Sequence, residues 1–142
     1  MQENEKKIKN AHLCGYSGTI SDLMNDPEYF GMMNDPTGAA YLKGICGDEM
    51  EFYLTIENDI ITDARYYTEG CKSTKACGAM AAYLAKGKTI AEALSISAGK
   101  VIEGVKELPD FNLHCSILAV STLYRAVADY LLKLWEGSLY AG

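Results

Sequence analysis

A chain of 142 residues with 49% hydrophobic and 23% charged side chains has the size and composition of one soluble globular domain that needs no disulfide to fold. Thirteen basic against nineteen acidic residues leave a net charge of −6, which argues against non-specific nucleic-acid binding. No run approaches the roughly 20 consecutive apolar residues that span a bilayer, so neither membrane nor nucleic acid is an expected partner.

The start, Met1-Gln2-Glu3-Asn4-Glu5-Lys6-Lys7, lacks an apolar secretory core and is too acidic for a transit peptide. Residues 1–15 are expected to form a flexible segment ahead of a single domain over 16–142, in a reducing cytoplasm. Gly18 to Tyr29 predicts one short helix carrying Ile20, Leu23 and Met24, stopped near Asn25-Asp26-Pro27. Met32 to Gly44 is rich in turn formers and is expected to be a loop. The period then changes to two. Met50, Phe52, Leu54 and Ile56 alternate with polar neighbours as in a half-buried strand. After Glu57-Asn58-Asp59 a second alternation sets Ile60, Thr62, Ala64 and Tyr66 against Ile61, Asp63, Arg65 and Tyr67.

Beyond Gly70 the pattern is helical. Lys72 to Lys86 places Ala76, Met80, Tyr83 and Leu84 on one stripe and stops at Gly87. Thr89-Ile90-Ala91-Glu92 is a capping box. Ser97 opens a third helix with Val101, Ile102 and Val105 inward, closed by Leu108-Pro109. The last helix, from about Cys115 to Trp135, carries Ile117, Val120, Tyr124, Val127, Leu131 and Leu134 as the spine of the core. The predicted class is α+β: a small antiparallel sheet of about three strands packed against a layer of four to five helices.

Five cysteines and two histidines bear on the chemistry. Cys46, Cys71 and Cys115 fall at boundaries between elements, and none belongs to a C-x-x-C pair. Cys71 and Cys115 open helices, whose positive ends favour thiolate over thiol. A single cysteine is more often core filler, but three at element ends suggest a shared soft site if they meet in space. Such a site suits iron–sulfur chemistry or zinc. Asp48 and His114 are the candidate fourth donors. In extended chain Asp48 points the same way as Cys46, two residues earlier; the alternative is a plain turn residue. Cys77 lies in an apolar stripe and reads as packing. There is no Gly-rich phosphate loop, no Ser/His/Asp arrangement and no paired catalytic carboxylates, and with only two histidines a classical hydrolase site would be hard to assemble.

Four stretches resemble, in register, the IscU/NifU-type iron–sulfur cluster assembly scaffolds. They are Gly44-Ile45-Cys46-Gly47-Asp48-Glu49-Met50; Ile61-Thr62-Asp63-Ala64-Arg65 leading to Glu69-Gly70-Cys71; Lys86-Gly87-Lys88-Thr89-Ile90-Ala91-Glu92-Ala93-Leu94; and His114-Cys115-Ser116-Ile117-Leu118-Ala119 through Ala128-Asp129-Tyr130. The resemblance runs roughly from Tyr16 to Lys133. It implies a platform: a cysteine desulfurase delivers sulfur onto a scaffold cysteine, iron joins, and a transient [2Fe–2S] cluster passes to apo iron–sulfur proteins or carriers. By position it implies Cys46, Cys71 and Cys115 as thiolate ligands. Asp48 becomes the residue tied to cluster lability, and His114 an alternative or assisting ligand. Zinc can occupy the same set, and the alternative function is a zinc-bound sulfur acceptor that stimulates a desulfurase, as in the SufU branch. The Cys71–Cys115 spacing lacks that branch's insertion. The family's chaperone-recognition segment, Leu-Pro-Pro-Val-Lys, is Leu108-Pro109-Asp110-Phe111-Asn112 here, which puts a dedicated chaperone partner in doubt. A homodimer is one arrangement the resemblance allows.

Overall fold

The computed structural model describes residues 16, 18–105 and 113–141, with side chains described as far as 137. The segment expected over 1–15 and the helix stop at Leu108-Pro109 lie outside them. Helix α1 (Ile20–Met24) begins at a full capping box, with Thr19 accepting from the Asp22 amide and Asp22 accepting from the Thr19 amide. It ends at Asn25, at the expected stop, because Pro27 cannot be preceded by helical backbone without a clash.

Three antiparallel strands follow in the order β1 (Gly38–Lys43), β2 (Glu49–Glu57) and β3 (Ile60–Tyr67). Strand β1 lies in the stretch expected to be a loop. It pairs from Gly38 opposite Leu54 to Lys43 opposite Glu49, and its outer edge is capped where Asp129 Oδ2 accepts from the Ala39 amide at 3.0 Å. On β2 the alternation holds, with Met50, Phe52, Leu54 and Ile56 buried. On β3 it breaks. A register shift at Thr55/Ile56 leaves Thr62 as an extra residue, so Ile61 is buried with Ala64 and Tyr66 while Ile60 and Thr62 face out. The bulge changes the parity of the strand. The β2–β3 connection is a two-residue turn with Asn58 and Asp59 both at positive φ, the conformation that matches strand twist.

The helical layer comprises α2 (Lys72–Ala85), α3 (Ile90–Leu94), α4 (Ala98–Gly104) and α5 (Leu113–Ala141). Helix α2 is wrapped on most sides, and its alanines let neighbours approach closely. A Cβ on Gly78 would sit 2.6 Å from the Tyr66 ring, and one on Gly104 of α4 would sit 2.5 Å from Met80 Sδ. Helix α5 is the spine, but its inward face differs from the expected stripe. Ile117, Leu131 and Leu134 are exposed, whereas Leu118, Ala119, Leu123, Ala126 and Val127 are buried with Val120. Small residues occupy this face because β1 lies directly on it: a Cβ at Gly38 would be 2.5 Å from the Ala126 carbonyl oxygen. By length and composition Leu113–Gly137 is apolar enough to cross a bilayer, with mean hydropathy 1.3, contrary to the expectation from consecutive runs. Half of its most apolar 18-residue window is buried within the domain, so that apolar length serves as core.

Candidate functional site

Three segments meet at one end of the domain. The first is the β1–β2 connection, Gly44 to Asp48, closed by bonds from the Gly44 amide to the Asp48 carbonyl (2.8 Å) and from the Gly47 amide to the Gly44 carbonyl (3.0 Å). Gly47 has φ +95°, which a residue with a side chain rarely adopts. The turn holds Ile45 and Cys46 out in solvent, while Gly44 rests against Leu118 of α5. The second segment is the entry to α2, where Cys71 occupies the N-cap position in extended conformation, without a side-chain cap bond. Thr68 holds this entry by donating to the Glu49 carbonyl (2.6 Å) and accepting from the Gly70 amide (3.0 Å). The third is the first described turn of α5, with His114 and Cys115.

Asp48 ties the first segment to the second. Its Oδ2 accepts from the Cys71 amide at 3.3 Å and from the Thr74 hydroxyl at 2.5 Å. The carboxylate can lie there only because residue 70 is glycine: a Cβ would stand 2.7 Å from Oδ2. The same Thr74 oxygen lies 3.4 Å from Cys71 Sγ and 3.3 Å from Cys115 Sγ. Asp48, Cys71 and Cys115, distant in sequence, thus gather around one buried hydroxyl. Cys46 and His114 stand at the margin, close enough for Cys46 to act electrostatically on Cys115 and His114 on Asp48. Among the described residues, no three His, Cys, Asp or Glu side chains are already drawn together tightly enough to grip an ion.

The protonation balance differs across the site. The Thr74 hydroxyl and then the Cys71 amide hold the Asp48 carboxyl below the usual aspartate range, against a smaller opposing effect of burial. Cys115 moves the other way. Burial pushes its thiol up, the Thr74 contact opposes this, and the neighbouring Cys71 and Cys46 add to the rise. The expectation that its place at a helix start favours thiolate at Cys115 is therefore corrected: the residue is only 1% exposed, and burial is the largest effect on its thiol. Cys77 is fully buried in the core, and burial raises its thiol strongly, in keeping with packing. An open groove of about 390 Å³ borders the site, with Asp48, Glu49, Glu51 and Glu69 on its wall. Thr74 itself escapes the sequence reading. The available signal was its position three residues after Cys71, which places both on one face of the helix start.

The family described as NifU-like N terminal domain matches residues 15–136. The chain belongs to this family. A protein of Archaeoglobus fulgidus named iron-sulfur cluster assembly scaffold protein IscU 1 is 38% identical over 119 residues, covering 83% of this chain and 78% of that one. The iron-sulfur cluster assembly scaffold protein IscU of Escherichia coli K12 is 35% identical over 123 residues, covering 83% and 95%. The NifU-like fold is also that of a crystal structure of a putative scaffold protein for the SUF system from Fervidobacterium islandicum. That match has a TM-score of 0.62 at 24% identity, over 79% of this chain and 96% of the other.

Proposed function

We propose that this NifU-like protein is a scaffold on which an iron–sulfur cluster is assembled and from which it is handed to recipient proteins. The observation that carries the reading is the gathering of Asp48, Cys71 and Cys115 around one hydroxyl, with Cys46 on the adjoining exposed turn. Soft thiolates from Cys46, Cys71 and Cys115 suit iron–sulfur cargo. Asp48 or His114 completes the set as a weaker donor, which favours release over storage. The cargo is a [2Fe–2S] cluster whose sulfur comes from a cysteine desulfurase, and apo iron–sulfur proteins or carriers receive it. The acidic groove wall raises the local concentration of ferrous ions beside the thiols. Cys46, Cys71, Cys77 and Cys115 are all free thiols, which fits a reducing, cytoplasmic setting.

The test is anaerobic reconstitution of the full chain with ferrous iron, cysteine and a cysteine desulfurase. A brown protein with thiolate-to-iron absorption is expected, and it should pass its cluster to an apo-ferredoxin. A colourless protein that retains zinc against a chelator while stimulating the desulfurase would replace this reading with that of a zinc-bound sulfur acceptor.

A further inference from the structure

We propose that Thr74 is the positioning residue of this site: its hydroxyl fixes the Asp48 carboxylate against the two cysteine sulfurs and so sets how tightly a thiophilic ion is held. The inference rests on the scaffold reading and adds to it a residue outside the expected ligand set. Thr74 is fully buried in the first turn of α2. A hydroxyl there must find partners. It has one proton and two acceptor sites, and all three are used. The proton goes to Asp48 Oδ2 at 2.5 Å, because an ionised carboxylate can only accept. The sulfurs of Cys71 at 3.4 Å and Cys115 at 3.3 Å therefore face the oxygen's acceptor side.

The consequence concerns the geometry of Asp48. The Thr74 hydroxyl and the Cys71 amide both bind the same oxygen, Oδ2, and the carboxylate is pressed against Gly70, where no side chain intrudes. With the Thr74 hydroxyl and Cys71 amide bonds both on Oδ2, Oδ1 is the oxygen Asp48 can offer to an incoming ion. A carboxylate held by one oxygen and offering the other is oriented before the ion arrives, the usual relation between a metal ligand and its supporting hydrogen bond. Thr74 also keeps the sulfurs of α2 and α5 within reach of the same point. It thus touches all three segments at once, Asp48 on the turn, Cys71 at the start of α2 and Cys115 on α5.

The experiment uses the full-length apo protein and zinc(II) alone, with affinity read anaerobically by competition against a chromophoric chelator. Thr74→Val keeps the shape and removes the hydroxyl; it should weaken zinc binding by about 10- to 100-fold, the range for lost supporting partners. Thr74→Ser restores the hydroxyl and should return affinity to within about threefold of the parent. In an Asp48→Ala background, Thr74→Val should change affinity less than about threefold, because the residue acts through that carboxylate. Cobalt(II) supplies a second readout: the visible bands of the Thr74→Val complex should shift toward those of Asp48→Ala. Parent-like affinity in Thr74→Val, or losses that multiply in the double variant, would overturn the inference while leaving the scaffold reading intact. A parent protein that takes up neither zinc nor iron would overturn both.

Discussion

Replacing Gly70 with alanine builds a Cβ 2.7 Å from Asp48 Oδ2 and 2.8 Å from its Cγ, far inside van der Waals contact. Gly70 is not among the glycines at positive φ, so the added methyl meets no backbone strain and its effect falls on the carboxylate. Pushing Asp48 aside breaks its bonds to the Thr74 hydroxyl and the Cys71 amide. Loss of a charge-assisted hydrogen bond, with its buried partner left behind, costs about 1.5–3 kcal/mol. At this chain length that lowers Tm by about 4–9 °C. The measurement is thermal and urea unfolding of the apo protein at pH 7. In an Asp48→Ala background the same methyl meets only the remaining Cβ at 3.2 Å, a contact relieved by a small shift. Gly→Ala there should cost much less than in the parent, offset further by the lower entropy of the unfolded chain. The pH dependence supplies a second check. Asp48 titrates below its ordinary 3.8 in the folded state, so its contribution is complete above that value and disappears as pH falls through the depressed folded value. The gap between parent and Gly70→Ala should therefore be constant from pH 7 down to about 5 and close in strong acid. An equal cost in both backgrounds, or a gap indifferent to acid, would refute the account of Gly70 as the seat of the Asp48 carboxylate.

Asp48→Ala should give a reconstituted cluster that decays more slowly and transfers more slowly to apo-ferredoxin, followed by its visible absorption; unchanged transfer kinetics would remove Asp48 from the release step. Serine at Cys46, Cys71 or Cys115 should each abolish a stable cluster, whereas Cys77→Ala, in a fully buried core position, should leave the reconstituted spectrum intact and lower only Tm. Gly78→Ala drives a methyl to 2.6 Å from the Tyr66 ring and 2.9 Å from Met50 Cε, so it should destabilise by about 1–3 kcal/mol in urea unfolding. At the alkaline end, burial is the main cause that pushes Tyr16 and Tyr53 up to about 12. The unfolded chain ionises first, so stability should hold below about pH 10 and fall above it, visible as a lower urea midpoint at pH 11 than at pH 8.

Legibility followed the strength of local patterns. The alternation of β2, the alanine-rich run of α2 and the capping box at Thr89 are local signals, and the structure repeats them. Strand β1 was hidden because Gly38-Ala39-Ala40 offers little alternation. Its stability comes from β2 on one side and Asp129 on the other, which no window on 32–44 contains. The parity change on β3 arises from a bulge against Thr55/Ile56, a property of the pair rather than of either strand. On α5 the large residues drew attention, yet the buried face is set by what must lie close to β1, and there small residues win. At the site, the cysteines stood out by residue type. The burial of Cys115 and the role of Thr74 depend on tertiary neighbours, and a threonine carries no chemical flag of its own.

The halves of the site are held by different means, and this bears on release. Cys71, Thr74 and Cys115 belong to helix starts anchored in the core, with Thr74 and Cys115 fully or nearly fully buried. Cys46 rides a short turn whose Ile45 is 95% exposed and whose own bonds are two backbone contacts across the turn. Segments with few buried contacts open at lower free energy than the core, so on the proposed ligand set the Cys46 sulfur should detach most easily. Asp48 is the hinge between the halves, bonded to the floor by its side chain and to the turn by its backbone. A cargo bound across them is held firmly on one side and loosely on the other. On that reading, a partner that captured the exposed turn would loosen the cluster without unfolding its floor. Tying the Cys46 turn rigidly to the floor should slow cluster transfer while leaving assembly intact, measured as transfer to an apo-ferredoxin; transfer at the parent rate would show that the turn takes no part in release.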